Sequence, residues 1–341
     1  MPEMPEFRRT LFLDSRSPRR YNVSVYNGGG AERAWLRRRV NKEDRRGINM
    51  DQGKQTKEKA EKLAAMKKLS TSKELFVLMS LCTKMPFVMC DPETFDDEVF
   101  LYEKEEDIKR EGQRFLDQKI PLQIAKIDNK QFLHFYSNLF TMGVNCLVFN
   151  GYMEDEYKLQ LADLVNRPGQ NLKEGQIWVE NPGLHLTALY FMQEVRRQKF
   201  EKLPKELQEL QEEILADYEK GTYLAPFNEE NGVPLLKQQN GDSYQPIFTD
   251  MLEFNKFNRE NFFKASVMTA DKITGALAKG ARGVVVNPMG VNLQLPITKR
   301  AASGPAKPLD PAKLAEAAVA EALKEPEKPE VPLGDLGNSG E

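Results

Sequence analysis

Two strand ends in the C-terminal half carry the polar residues whose types and spacing could do chemistry. Thr249 and Asp250 follow Pro246-Ile247-Phe248, and Asn287 and Pro288 follow Gly283-Val284-Val285-Val286. Ligands of open α/β sheets sit beyond the carboxyl ends of strands. A hydroxyl, a carboxylate and an amide could therefore meet there on one small polar ligand. The competing assignment gives each residue a local task, with Asp250 capping the following helix and Asn287-Pro288 making a turn. The local assignment is the preferred one, and Asp271, after Thr269, reads as a further helix cap.

Other chemistry is poorly supported. Gly275, Gly280 and Gly283 have neither P-loop nor dinucleotide spacing. The two histidines, His134 and His185, are too few and too far apart for a zinc site. His134 lies one step off an apolar helix face and reads as a solvent-edge residue. Cys82, Cys90 and Cys146 are odd in number and lack CxxC spacing, so they read as small buried hydrophobes of a reduced, cytoplasmic protein. No catalytic residue, metal or cofactor is assigned.

The elements that must position the strand ends occur twice. Tyr244 to Asp250, Gly283 to Pro288 and Val291 to Leu295 are echoed by Glu98 to Tyr102, Asn145 to Asn150 and Tyr157 to Leu161, each with helical stretches between. Such an echo predicts one folding unit per copy. In the first copy, capping-box spacing at Thr71-Ser72-Lys73-Glu74 predicts a helix over Leu75 to Cys82. Met85 to Met89 and Val99 to Tyr102 then read as strands, and Glu103 to Lys119 as a charged, exposed helix. A strand at Leu122 to Ile127 ends at Asp128, which caps the clearest helix, with Phe132, Phe135, Tyr136, Leu139 and Phe140 on one face and Gly143 at its end. Cys146 to Phe149 and Tyr157 to Leu161 complete this copy as strands.

The second copy opens on helices at Leu184 to Arg197 and around Leu207, Leu210 and Ile214. Strands follow at Thr222 to Pro226, Pro234 to Lys237, Pro246 to Phe248, Lys264 to Met268 and Val284 to Val286. Both copies end strand, helix, strand, helix, strand. This predicts an α/β (α+β) class with two similar domains, each a small mixed β-sheet packed with helices, plus disordered termini.

The chain of 341 residues has a net charge of −2, which conceals an asymmetry. Residues 1–49 hold 12 basic residues, 11 of them Arg, against 6 acidic ones, whereas the remainder uses mainly Lys and is acidic. Residues 1–49 read as a basic disordered arm. It is either a nucleic-acid-binding segment or a translated stretch ahead of a natural start at Met50, and the second is preferred. Residues 50–72 form a helical lead-in, 73–165 the first copy, 166–181 a linker, 182–297 the second copy and 298–341 a disordered Pro/Ala/Glu tail. No apolar run is long enough for a membrane span.

The second copy resembles the N-terminal domain of the SseB family. The resemblance rests on Pro246-Ile247-Phe248-Thr249-Asp250 and Gly283-Val284-Val285-Val286-Asn287-Pro288, with Asn181-Pro182-Gly183-Leu184 and Thr222-Tyr223-Leu224-Ala225-Pro226. It spans about 182–297, and 74–165 more weakly. In the first copy Tyr102 and Glu103 stand against Thr249 and Asp250, and Asn150-Gly151 against Asn287-Pro288, which marks that copy as a diverged partner. The resemblance implies a bacterial protein of uncharacterised biochemistry with no catalytic residues to transfer. The expected function is a non-catalytic cytoplasmic interaction or regulatory module with a protein partner. The alternative is a small-ligand sensor or enzyme using Thr249, Asp250, Asn287 and Pro288.

Overall fold

A computed structural model describes residues 45–297 apart from 170, 171, 176, 239 and 240, with side chains from Lys57 onward. The tail 298–341 and all but the last five residues of the basic arm lie outside the described residues. Helix α1, Arg45–Thr71, already begins inside the stretch 1–49 that was expected to lack regular structure. It docks through Ala65 and Leu69.

The first half then runs β1 (Glu74–Ser80), β2 (Val88–Cys90), β3 (Asp97–Tyr102), α2 (Glu105–Asp117), β4 (Leu122–Asp128), α3 (Asn129–Thr141), β5 (Cys146–Phe149) and β6 (Tyr157–Gln160), with the short α4 (Leu161–Leu164) after it. The second half runs α5 (Pro182–Arg197), α6 (Lys205–Lys220), β7 (Thr222–Phe227), β8 (Leu236–Lys237), β9 (Ser243–Ile247), α7 (Met251–Phe257), β10 (Lys264–Thr269), α8 (Ala270–Gly275), β11 (Ala281–Val286) and β12 (Leu293–Pro296). Helices on mixed sheets make this an α+β fold.

The two sheets have one topology. The first is ordered β4-β1-β3-β5-β6 with β2 beside β3. In the second, β10 pairs β7 and the remaining strands are ordered β12-β11-β9-β8, the two groups being joined by the antiparallel bridge Leu224–Phe248. β3–β5 and β9–β11 are the parallel pairs, and every other pairing is antiparallel.

One expected helix is corrected. Leu75 to Ser80 lies in β1, with Thr71 closing α1 instead of capping a new helix. β1 is central and both of its faces meet apolar layers. Leu75 and Val77 join the large core, and Phe76 and Leu78 join a second cluster on the opposite face. A strand buried on both sides reads as a continuous apolar run, which imitates a helix face. α2 is also less exposed than its charge suggests, because Ile108 and Phe115 pack under it on Phe100 and Tyr102. The expected strand at Met85 to Met89 shortens to Val88–Cys90.

The large core is continuous across both halves. Leu101, Leu147 and Phe149 of the first sheet belong to it together with Ile247, Val284 and Val286 of the second. α5 lies within it, and eleven of its sixteen residues are buried. A helix that is apolar around most of its circumference belongs in an interior. Gly143 (φ 85°) ends α3 and lets it meet α5 closely, since a Cβ there would lie 2.6 Å from the Pro182 carbonyl oxygen and 2.9 Å from Leu186 Cβ.

Candidate functional site

Three of the four expected site residues converge. β9 and β11 run parallel with Ile247 opposite Val286, so Thr249-Asp250 and Asn287 leave the sheet side by side. Asn287 takes a left-handed backbone, φ 48°, a conformation that asparagine tolerates better than most residues. Its N–H donates to the Ile247 carbonyl (3.0 Å), and its Oδ1 accepts from the Thr249 N–H (3.0 Å). Its Nδ2 donates to Thr249 Oγ1 (2.8 Å), and that hydroxyl donates in turn to Asp250 Oδ2 (2.7 Å). Asp250 Oδ1 accepts from the N–H groups of Leu252 (2.9 Å) and Glu253 (3.0 Å), capping α7.

Pro288 is half-buried and follows Asn287 into a turn in which the Gly290 and Asn292 N–H groups donate to the Asn287 carbonyl. It contributes ring geometry to that turn. Thr249, Asp250 and Asn287 are each no more than 1% exposed.

Two residues that sequence reasoning did not single out complete the cluster. Asn181, just ahead of α5, donates through Nδ2 to the carbonyls of Thr222 (2.7 Å) and Thr249 (2.9 Å), tying α5 to β7 and to the β9 end. His185 on α5 is buried, with Nδ1 3.4 Å from Thr249 Oγ1 and 3.7 Å from Asp250 Oδ2. Asn181 stood in the run Asn181-Pro182-Gly183-Leu184 quoted for the family resemblance, with no task given to its amide. The inward position of His185 depends on a helix buried nearly all round, which no local pattern displays.

The electrostatics suit a structural bracket. Burial acts to raise the Asp250 pKa, but the neighbouring His185 imidazole and the hydrogen bonds from Thr249 and the Glu253 N–H outweigh it and hold the carboxyl below its ordinary value. The carboxylate thus stays charged while enclosed. Thr249 donates its hydroxyl hydrogen bond to Asp250 and accepts from Asn287, so its hydroxyl is engaged on both sides and faces protein. The arrangement orients backbone.

The first sheet repeats this bracket with a one-residue correction. Leu101 pairs with Phe149 as Ile247 pairs with Val286. Glu103 and Lys104 therefore stand where Thr249 and Asp250 do, in place of the expected Tyr102 and Glu103. Asn150 has φ 50°. Its N–H donates to the Leu101 carbonyl (2.8 Å), and its Oδ1 accepts from the Glu103 N–H (3.0 Å). Lys104 occupies the N-cap of α2 without a side-chain cap.

A second polar cluster lies in the first sheet. Lys158 on β6 pairs with Asp91 and, at 2.8 Å, with the buried Glu98 on β3. Burial raises the Glu98 pKa, with the Lys158 hydrogen bond opposing, and burial together with the nearby Glu98 charge pushes the Cys146 thiol up to about 12. That thiol is inert at neutral pH.

Elsewhere, His134 is exposed beside Asn138, and the Trp178 ring packs on Gly169 while its Nε1 donates to Glu180 Oε2 (2.9 Å). Among the described residues no group of three or more His, Cys, Asp and Glu is placed to hold a metal ion, and no helix is long and apolar enough to cross a membrane.

No family model matches the chain, and no curated protein matches it. Among solved structures it is similar to Tic22 from Plasmodium falciparum, at 12% identity over 64% of this chain and 90% of that one, with a TM-score of 0.16. It is also similar to Anabaena Tic22 (protein transport), at 11% identity over 61% and 82% of the respective chains, with a TM-score of 0.15. At such TM-scores the likeness carries no argument about fold or function.

Proposed function

We propose that this chain is a non-catalytic interaction or regulatory module, built of two SseB-like halves, that works through its surface on a protein partner. One observation supports this reading above others. The polar side chains best placed for chemistry, Thr249, Asp250 and Asn287, are enclosed, and their hydrogen bonds go to the fold. Large apolar side chains meanwhile stand on the surface of the linker and the second half, among them Ile177 (72% exposed) and Phe262 (55% exposed). Phe262 adjoins a small apolar cluster. Its ring lies edge-on to Phe263, which packs against that cluster. Exposed apolar groups beside a packed cluster favour contact with another macromolecule. The three free cysteines fit a reducing compartment, and the cytoplasm is the proposed location.

Proximity labelling in native cells tests the reading. A Phe262→Ser, Ile177→Ser variant with an unchanged melting temperature is expected to lose the partners enriched by the wild type. A metabolite that raises the melting temperature of the wild type but not of Asp250→Asn would instead favour the small-ligand alternative.

A further inference from the structure

We propose that β10 is a self-pairing edge through which two copies of this chain associate about a two-fold axis. β10 pairs with β7 on one side and, among the described residues, ends its sheet on the other. An edge strand presents unpaired N–H and C=O groups to any other strand, and proteins blunt such edges with charges, prolines or bulges. The duplicated topology supplies an internal control. In the first sheet Phe76 lies between Tyr102 and Lys126 of edge strand β4, and in the second Leu224 lies between Phe248 and Val267 of β10.

Lys126 and Val267 therefore hold the same place in the two sheets. β4 is guarded there by a lysine, exposed and paired with Glu74 at 3.2 Å. β10 presents a valine that is 41% exposed. The run Ala265-Ser266-Val267-Met268-Thr269 contains neither charge nor proline. The first copy has the guard and the second lacks it.

Charge order along β10 selects the occupant. Lys264 opens the strand with its exposed side chain paired to Glu229 of the same chain, a solvent-facing contact that can exchange, and Asp271, which accepts from the Thr269 hydroxyl, stands two residues past its end. Antiparallel pairing of two identical edges brings Lys264 of each copy toward Asp271 of the other, whereas parallel pairing sets like against like. Antiparallel self-pairing is also closed, since a two-fold axis consumes both edges and leaves none for a third copy. A net charge of −2 gives two copies little mutual repulsion. A six-residue strand pair buries less than the roughly 1,200 Å² of a stable interface, so the dimer is expected to be weak and concentration-dependent. This pairing stands independently of the proposed role with a protein partner.

Sedimentation velocity of the full chain, across a micromolar-to-submillimolar series, tests it. The wild-type sedimentation coefficient is expected to rise with concentration, and Val267→Lys, which copies the guard of β4, to weaken association by at least about tenfold. Lys264→Glu should weaken it too, by facing acid with acid at the strand ends, and adding Asp271→Lys should restore it. Circular dichroism melts confirm that each variant is folded, and Lys264→Glu keeps the test decisive if Val267→Lys is not. A wild type that stays monomeric throughout overturns the proposal. So does a dimer indifferent to both Val267→Lys and Lys264→Glu.

Discussion

Asn150 and Asn287 make the same bracket in two sheets that share little sequence. Each takes a left-handed backbone after the second parallel strand, donates its N–H to the last carbonyl register of the first, and accepts the next N–H of that chain on Oδ1. A parallel pair has no hairpin to set where its strands stop. The asparagine does this by mimicking one more ladder bond on each side.

Removing the bracket should cost more in the second half. Asn287→Ala leaves the buried Thr249 N–H unpaired and places an alanine at φ 48°. A loss of about 3–4 kcal/mol is expected in urea unfolding. Asn287→Gly should recover about 1 kcal/mol of it by relieving the backbone. Asn150→Ala should cost about 2 kcal/mol, because the bond it makes to the Glu103 N–H is only part-buried and water can replace it. Equal losses at the two sites would refute the bracket as the cause.

Asp250 sets part of the acid limb. Its folded pKa is depressed, so the stability it confers is present above its unfolded value near 3.8 and is lost as pH falls through the lower folded value. Asp250→Asn should lower stability near neutral pH and flatten the loss below about pH 4 relative to wild type. Parallel acid limbs for the two proteins, measured by chemical denaturation at stepped pH, would count against the assignment.

Glu98 works in the opposite sense. Its folded pKa is raised by burial, so its contribution is full below the unfolded value near 4.5 and declines as pH rises through the folded one. The melting temperature of Glu98→Gln, taken relative to wild type, should therefore improve between pH 4 and pH 7.5. A difference that stays constant or falls over that interval would show that the pair with Lys158 outweighs the burial.

The two halves should unfold together. Besides the common core, Tyr190 on α5 donates to Asp97 on β3 at 2.6 Å, and Gln193 exchanges hydrogen bonds with both backbone groups of Val88. Calorimetry is expected to give one transition with matching calorimetric and van't Hoff enthalpies. Tyr190→Phe should lower stability by about 1–2 kcal/mol without splitting the peak. Two separated transitions would mean that the halves are independent.

Much of the layout was legible because both sheets alternate strand and helix with ordinary punctuation. Asp128 and Asp250 announced their helices, and Gly143 ended one where a positive φ is required. β1 was not legible. Leu75-Phe76-Val77-Leu78 is apolar on both faces, and only the presence of two apolar layers distinguishes such a run from a turn of buried helix. The match of Glu103 to Thr249 was displaced by one because it depends on strand register, which similar side chains did not reveal. Thr249, Asp250 and Asn287 were recognisable as neighbours, whereas their enclosure by Asn181 and His185 came from a helix far away in sequence.

The burial of α5 also determines what happens if the chain is severed in the linker. The first fragment would keep its sheet but lose the α5 partners of Asp97, Val88 and Gly143, and the second would carry a sixteen-residue helix with apolar flanks open to water. Neither piece would be a miniature of the whole, although each repeats the same topology. They would be complementing fragments, insoluble apart and competent when produced together. Two sheets of one topology that need one another in this way could not be separated by deletion.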